Sequence, residues 1–118
     1  MRVYVDANPK ETCYVTETGE TRIRVLPKRH LQSYTNNEAE YLAVMYALEE
    51  IPNVTEILSD SELVVRQLNT RLGRSDIQYA IRAEHLKKLA DEVLQLARGS
   101  VKFTYVHRTQ NKAGKVLG

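Results

Sequence analysis

Three short β-rich runs joined by tight turns, followed at Asn36 by a switch to helical periodicity, leave this chain few ways to fold. Val3-Tyr4-Val5 stops at Asp6-Ala7-Asn8-Pro9, a strong turn signal. Thr12 to Thr16 reads as a second strand, and Glu17-Thr18-Gly19-Glu20 as a hairpin turn. Thr21 to Leu26 then alternates, with Ile23 and Val25 on one face, Arg22 and Arg24 on the other, and Pro27 as the stop. From Asn36 to Pro52 the stripe Ala39, Leu42, Ala43, Tyr46, Ala47 predicts a helix. Val54 to Leu58 is a buried-type strand, and Ser61 to Asn69 a second helix carrying Leu63, Val64 and Leu68. A long helix is predicted from about Asp76 to Arg98, stopping at Gly99. Val101 to Val106 is a fifth strand, and Lys112 to Leu117 the first turn or two of a last helix expected to be short or truncated.

Strands joined by short turns form an antiparallel meander, whereas strands reached through helices lie parallel to their neighbours. The expected architecture is an α/β fold with one mixed sheet and helices on its faces. Ligands in such sheets bind beyond the carboxyl ends of the parallel strands. A length of 118 residues suits a single domain spanning 1–118. Hydrophobic content of 42% with 27% charged residues excludes a disordered chain. Cys13 is the sole cysteine, which excludes an intramolecular disulfide and a cysteine-based zinc site. No apolar run approaches the roughly 20 residues of a membrane span, and Met1-Arg2-Val3-Tyr4 reads as strand rather than signal peptide. These features predict a reduced, cytoplasmic protein with no membrane partner and no obligate protein partner. A formal charge of +2 permits a polyanionic ligand without demanding one.

Three acids fall where ligands are expected. Asp6 ends the first strand, Asp60 ends the fourth, and Glu40 lies near the start of the first helix. Each has a structural alternative. Asp6 suits a turn, while Thr35-Asn36-Asn37-Glu38 and Ser59-Asp60-Ser61-Glu62 both match the capping box. Capping accounts for Glu38 but leaves Glu40 unexplained. Three crowded carboxylates repel one another unless a cation joins them. A hard divalent ion such as Mg2+, with Mn2+ as substitute, takes such oxygens and keeps waters for a phosphate to displace. Carboxylate clusters holding two such ions perform in-line displacement at phosphorus.

Val3-Tyr4-Val5-Asp6, Thr35-Asn36-Asn37-Glu38-Ala39-Glu40-Tyr41, Leu58-Ser59-Asp60-Ser61-Glu62-Leu63-Val64-Val65-Arg66-Gln67-Leu68-Asn69 and Tyr105-Val106-His107-Arg108-Thr109-Gln110-Asn111 resemble the type 1 ribonuclease H family. The resemblance spans nearly the whole chain, in order. It implies a ribonuclease H-like fold with strand order 3-2-1-4-5, cleavage of the RNA strand of RNA–DNA hybrids, and two magnesium ions. It carries over Asp6, Glu40 and Asp60 as metal ligands, with Asp6 bridging both ions. It makes Asn36 and Asn37 readers of base edges and 2′-hydroxyls, with Thr35 and Asn8 as phosphate contacts. Ser61, Arg108 and Asn111 join the nucleic-acid-facing set on the same ground.

The family's fourth carboxylate lies four residues beyond a motif Asn. Counting from Asn111, Lys115 holds that place, preceded by Gly114. Two readings follow. Lys115 takes part in the catalytic site, neutralising phosphate charge beside one retained ion, or the fold binds RNA–DNA hybrid or double-stranded RNA with weak or absent turnover. A nuclease acting on DNA is a further alternative, against which Asn36 and Asn37 speak. The loop after Asp6 is short, and His107 sits too early for a product-release role; His30 and His85 suggest nothing beyond surface or helix roles. Basic residues run through Lys28-Arg29-His30, Arg71, Arg74, Arg82, Lys87 and Lys88. The stretch from Arg71 to Lys88 reads either as a weak DNA-gripping handle or as a solvated helix with Glu84–Lys88 pairing.

Overall fold

Val3 and Val5 alternate with Tyr4 and Asp6, and that alternation decides which side of the sheet carries the core and which carries chemistry. The structure is a computed structural model describing residues 1–29 and 32–118, so His30 of the basic run lies outside the described residues. Five strands, β1 (Arg2–Ala7), β2 (Glu11–Thr16), β3 (Thr21–Val25), β4 (Glu56–Ser59) and β5 (Lys102–Tyr105), form one sheet in the order β3-β2-β1-β4-β5. The meander β1-β2-β3 is antiparallel, while β1 with β4 and β4 with β5 are parallel. In this register Val5 stands opposite Ser59, which sets Asp6 and Asp60 side by side just beyond the pair.

Among the described residues four α-helices cover the sheet: α1 (Asn36–Glu50), α2 (Glu62–Arg71), α3 (Glu84–Ala97) and α4 (Lys112–Leu117). The main core lies under the first three. Val3, Val5, Ile57 and Phe103 of the sheet meet Tyr41 and Val44 of α1, Val64 and Leu68 of α2, and Val93 of α3. On the opposite face α4 covers a smaller cluster of Cys13, Val15 and Ala113, flanked by Tyr4 and Leu117.

Two local expectations need correction. The long helix is shorter than predicted: α3 begins at Glu84, and residues 74–83 are bound to α2 without helix. Tyr79 N–H donates to Thr70 Oγ1 at 3.0 Å, and Gln67 Nε2 donates to the Ala80 carbonyl at 3.3 Å. Ile77 and Ile81 have helical spacing, but Ile81 is buried while Ile77 is 63% exposed, so no apolar stripe extends α3 backwards. The capping box before α2 does not form. Ser59 is buried at the end of β4 and its Oγ accepts from Ser61 N–H at 3.0 Å, while N-cap Ser61 makes no side-chain cap bond. The expected alternation of β3 holds, with its arginines on the side of α1. Arg22 pairs with Glu50, and Arg24 lies 3.9 Å from the centroid of the Tyr46 ring. Ile23 and Val25 are left 47% and 74% exposed.

Candidate active site

The three acids converge through three independent local causes. Asp6 projects from the face of β1 opposite Val5, near the carboxyl end of the strand. Asp60 follows β4 immediately, beside it. Glu40 is placed by the start of α1, which is fixed by a complete capping box. Thr35 Oγ1 accepts from Glu38 N–H at 3.1 Å and Glu38 Oε1 accepts from Thr35 N–H at 3.0 Å. Arg29 clamps that box, donating to both oxygens of Glu38 at 2.9 Å and to the Ser33 carbonyl at 2.9 Å, with its guanidinium 4.0 Å from the Tyr34 ring centroid. The Arg29 clamp carries no motif signal; an acid at N3 of a helix does not name its cation in advance.

One oxygen from each of Asp6, Glu40 and Asp60 can be chosen so that all lie within 4.8 Å of one another. Glu40 is only 8% exposed. Its Oε1 accepts from Ala7 N–H at 3.1 Å, whereas its buried Oε2 has no hydrogen-bond partner. An orphaned carboxylate oxygen in a buried site is costly. Burial, reinforced by Asp6 and Asp60, pushes the Glu40 carboxyl up to about 9. Burial and then Asp60 likewise push Asp6 up to about 6. An all-carboxylate donor set with a buried unpaired oxygen fits a hard divalent cation.

The fourth side of the cluster is backbone. A Cβ on Gly114 of α4 would stand 3.4 Å from Asp6 Oδ2 and 3.5 Å from Asp60 Oδ2. Lys115 follows, exposed, and none of the ion pairs among the described residues includes it.

The candidate nucleic-acid contacts divide. Asn36 is exposed and Asn37 half-buried on the first turn of α1, with Thr35 exposed at the cap. Asn8 is half-buried; its Oδ1 accepts from the Lys10 and Glu11 N–H groups at 2.9 and 3.0 Å, which shapes the β1–β2 turn. Ser61 is half-buried beside Asp60, and Arg108 is exposed at the start of a 3₁₀ turn. Asn111 belongs elsewhere. It is 0% exposed, donates from Nδ2 to the Val5 carbonyl at 2.9 Å, and caps α4 by accepting from Ala113 N–H at 3.1 Å. An Asn so placed anchors α4 to β1 and has no amide left for a nucleic acid. His107 is exposed, with its Nδ1 accepting from Thr109 N–H at 3.2 Å.

Much of the predicted basic handle is already engaged. Arg71 pairs with Asp91 at 2.8 Å, and Arg74 donates to the Val101 and Gly99 carbonyls at 2.7 and 2.9 Å. Glu84 pairs with Lys87 at 3.0 Å in place of the expected Lys88. Arg82 and Lys88 remain exposed without ion pairs among the described residues.

No protein-family model and no curated protein matches the chain. Solved structures do. Ribonuclease H1 from the halophilic archaeon Halobacterium salinarum NRC-1 aligns with a TM-score of 0.74 at 22% identity, covering 98% of this chain and 92% of that one. The N-terminal ribonuclease H domain of Rv2228c from Mycobacterium tuberculosis, in a fusion with maltose binding protein, aligns at 0.68 with 24% identity over 97% and 87%. LC11 ribonuclease H1, solved in complex with an RNA/DNA hybrid, aligns at 0.69 with 21% identity over 97% and 91%. This chain, with its five-stranded mixed sheet in the order β3-β2-β1-β4-β5, therefore has the ribonuclease H fold.

Proposed function

We propose that this protein is a divalent-metal-dependent endoribonuclease that hydrolyses the RNA strand of RNA–DNA hybrids. The observation that carries the reading is the convergence of Asp6, Glu40 and Asp60, with Glu40 Oε2 buried and unpaired, at the carboxyl ends of parallel strands. The solved neighbour bound to an RNA/DNA hybrid supports the substrate class.

Asp6, Glu40 and Asp60 would hold the cation, Mg2+ or Mn2+, which when bound supplies positive charge at the phosphate and a more acidic water. The chain itself orients the substrate. Asn36 and Asn37, at the exposed start of α1, offer amides to base edges and 2′-hydroxyls, which distinguish the RNA strand. The free N–H groups of that helix end, with Thr35, suit a phosphate. Nδ2 of Asn8, Ser61 and Arg108 extend the contact surface around the acids. In the reaction a water oxygen bonds to phosphorus as the P–O3′ bond breaks. One proton leaves the water and one reaches the departing oxygen, giving a 3′-hydroxyl and a 5′-phosphate. The chain acts as one domain over 1–118, and the lone buried thiol of Cys13 suits the reducing cytoplasm.

The test is cleavage of a labelled hybrid by the wild-type chain and by Asp60→Asn. Wild type is expected to cleave with Mg2+ or Mn2+, and Asp60→Asn to lose at least about 100-fold in kcat while still binding hybrid. A second reading, a hybrid- or double-stranded-RNA-binding module, is favoured by a lysine, Lys115, at the place where the motif resemblance expects a fourth acid. It gains if wild type binds tightly and never cleaves. Competition between hybrid and DNA duplex separates both from a DNA-directed nuclease.

A further inference from the structure

Resting on that reading, we propose that Arg29 is a positioning residue for recognition of the RNA strand, bracing Thr35-Asn36-Asn37 from both sides without itself touching the nucleic acid. Beyond the segment, its guanidinium donates to Oε2 and Oε1 of Glu38, both at 2.9 Å. Before the segment, it donates to the Ser33 carbonyl at 2.9 Å, and its Cζ lies 4.0 Å from the centroid of the Tyr34 ring. These bonds use most of the donors a guanidinium has, so little is left for a phosphate. The brace is also tied to the sheet. Leu26, buried at the end of β3, donates its N–H to the Lys10 carbonyl at 2.9 Å, and Pro27 follows it.

Asn36 is exposed and Asn37 half-buried, so the backbone beneath them sets the aim of their short amides. That backbone is a helix end, the part of a helix most prone to fray. Glu38 Oε1 is shared between Thr35 N–H at 3.0 Å and Arg29, so one buried carboxylate joins the cap to the clamp. A planar fork on both oxygens of a carboxylate fixes orientation as well as distance. Amides ordered before binding spare the complex the entropy of ordering them. The acids have a separate support. Glu38 and Glu40 point roughly 200° apart around α1. Glu40 Oε1 accepts from Ala7 N–H at 3.1 Å, and its neighbours Ala39 and Tyr41 are fully buried. Loss of Arg29 therefore frees the reading turn and leaves the metal ligands in place.

Fluorescence anisotropy with RNA–DNA hybrid and with DNA duplex tests this in an Asp60→Asn background, which leaves the RNA strand intact. Arg29→Ala is expected to weaken hybrid binding about 10-fold and DNA duplex binding less than about 2-fold. Its salt slope should stay within about 0.3 of the parent. With Asp60 restored, Mn2+ affinity by electron paramagnetic resonance should change less than about 2-fold on Arg29→Ala. Arg29→Lys keeps the charge but not the fork, and should remain at least about 3-fold weak on hybrid. Glu38→Ala should match Arg29→Ala, and the two together should cost no more than about 2-fold beyond either. Amide exchange at Glu38 and Ala39, whose N–H groups bond to Thr35, should quicken at least about 10-fold in Arg29→Ala, a readout that holds even where Glu38→Ala does not fold. Equal losses on both duplexes with a slope lower by about 1 would make Arg29 a phosphate contact and overturn the proposal. A parallel loss of Mn2+ affinity, full rescue by Arg29→Lys, additive losses with Glu38→Ala, or unchanged exchange overturns it too. Hybrid binding in the expected pattern without cleavage by the wild-type chain leaves Arg29 in its role and defeats the hydrolytic reading alone. No hybrid binding by the parent defeats the functional reading and this proposal with it.

Discussion

At the scale of single residues, Glu40 combines deep burial, one donated N–H and one oxygen with nothing to bind. Its carboxyl titrates near 9 and that of Asp6 near 6, both above their ordinary range. In the unfolded chain both ionise near their ordinary values. Without a divalent cation, the folded protein therefore binds more protons than the unfolded one between about pH 4.5 and 9. Stability contributed by these groups is present at low pH and lost as pH rises through the folded values. Thermal melts of metal-free protein should fall from pH 5 to pH 9, and added Mg2+ should raise the melting temperature by several degrees more at pH 8 than at pH 5. Equal metal-induced shifts at the two pH values would contradict this assignment.

The acids were legible in the sequence because each sits where a strand ends or a helix begins, and because capping explains Glu38 while leaving Glu40 over. Asn111 was not. An asparagine near a helix start reads the same whether it faces water or a buried carbonyl, and only the packing of α4 on β1 decides.

At the scale of elements, α4 is six residues long and leans on that one side chain. Asn111→Ala removes the cap of α4 and leaves the Val5 carbonyl without its donor, a loss of about 1–3 kcal/mol. Urea unfolding should register it, and Mn2+ affinity should fall as well because Val5 adjoins Asp6. A destabilisation with metal affinity unchanged would show that α4 and the acid cluster are separable. The start of α1 was readable from Thr35 and Glu38 alone, since the capping box is local chemistry. The start of α3 was not. The polar groups of residues 74–83 bond to α2, a non-local preference that overrides periodicity.

At the scale of the whole molecule, alternation and crossover rules predict which strands run parallel, but not at which edge each is added; the order 3-2-1-4-5 came from motif resemblance and is the observed one. Counting charges was less informative. A formal charge of +2 permits a polyanionic ligand without locating it, and Arg29, Arg71 and Arg74 are engaged within the fold. Arg71→Ala and Arg74→Ala are expected to lower the melting temperature while leaving the salt slope of hybrid binding within about 0.3 of wild type. Arg108→Ala should reduce that slope by about 1 with stability unchanged. Fluorescence anisotropy over a salt series measures both; a reversed pattern would move the nucleic-acid face to α2 and α3.

The thin cover over the second face of the sheet gives the protein an internal clock. Cys13 lies beneath α4 with its thiol pushed by burial up to about 11, so alkylation requires that helix to lift. The same excursion strips Gly114 from Asp6 and Asp60. The labelling rate of one sulfur therefore times how often the acid cluster loses its wall.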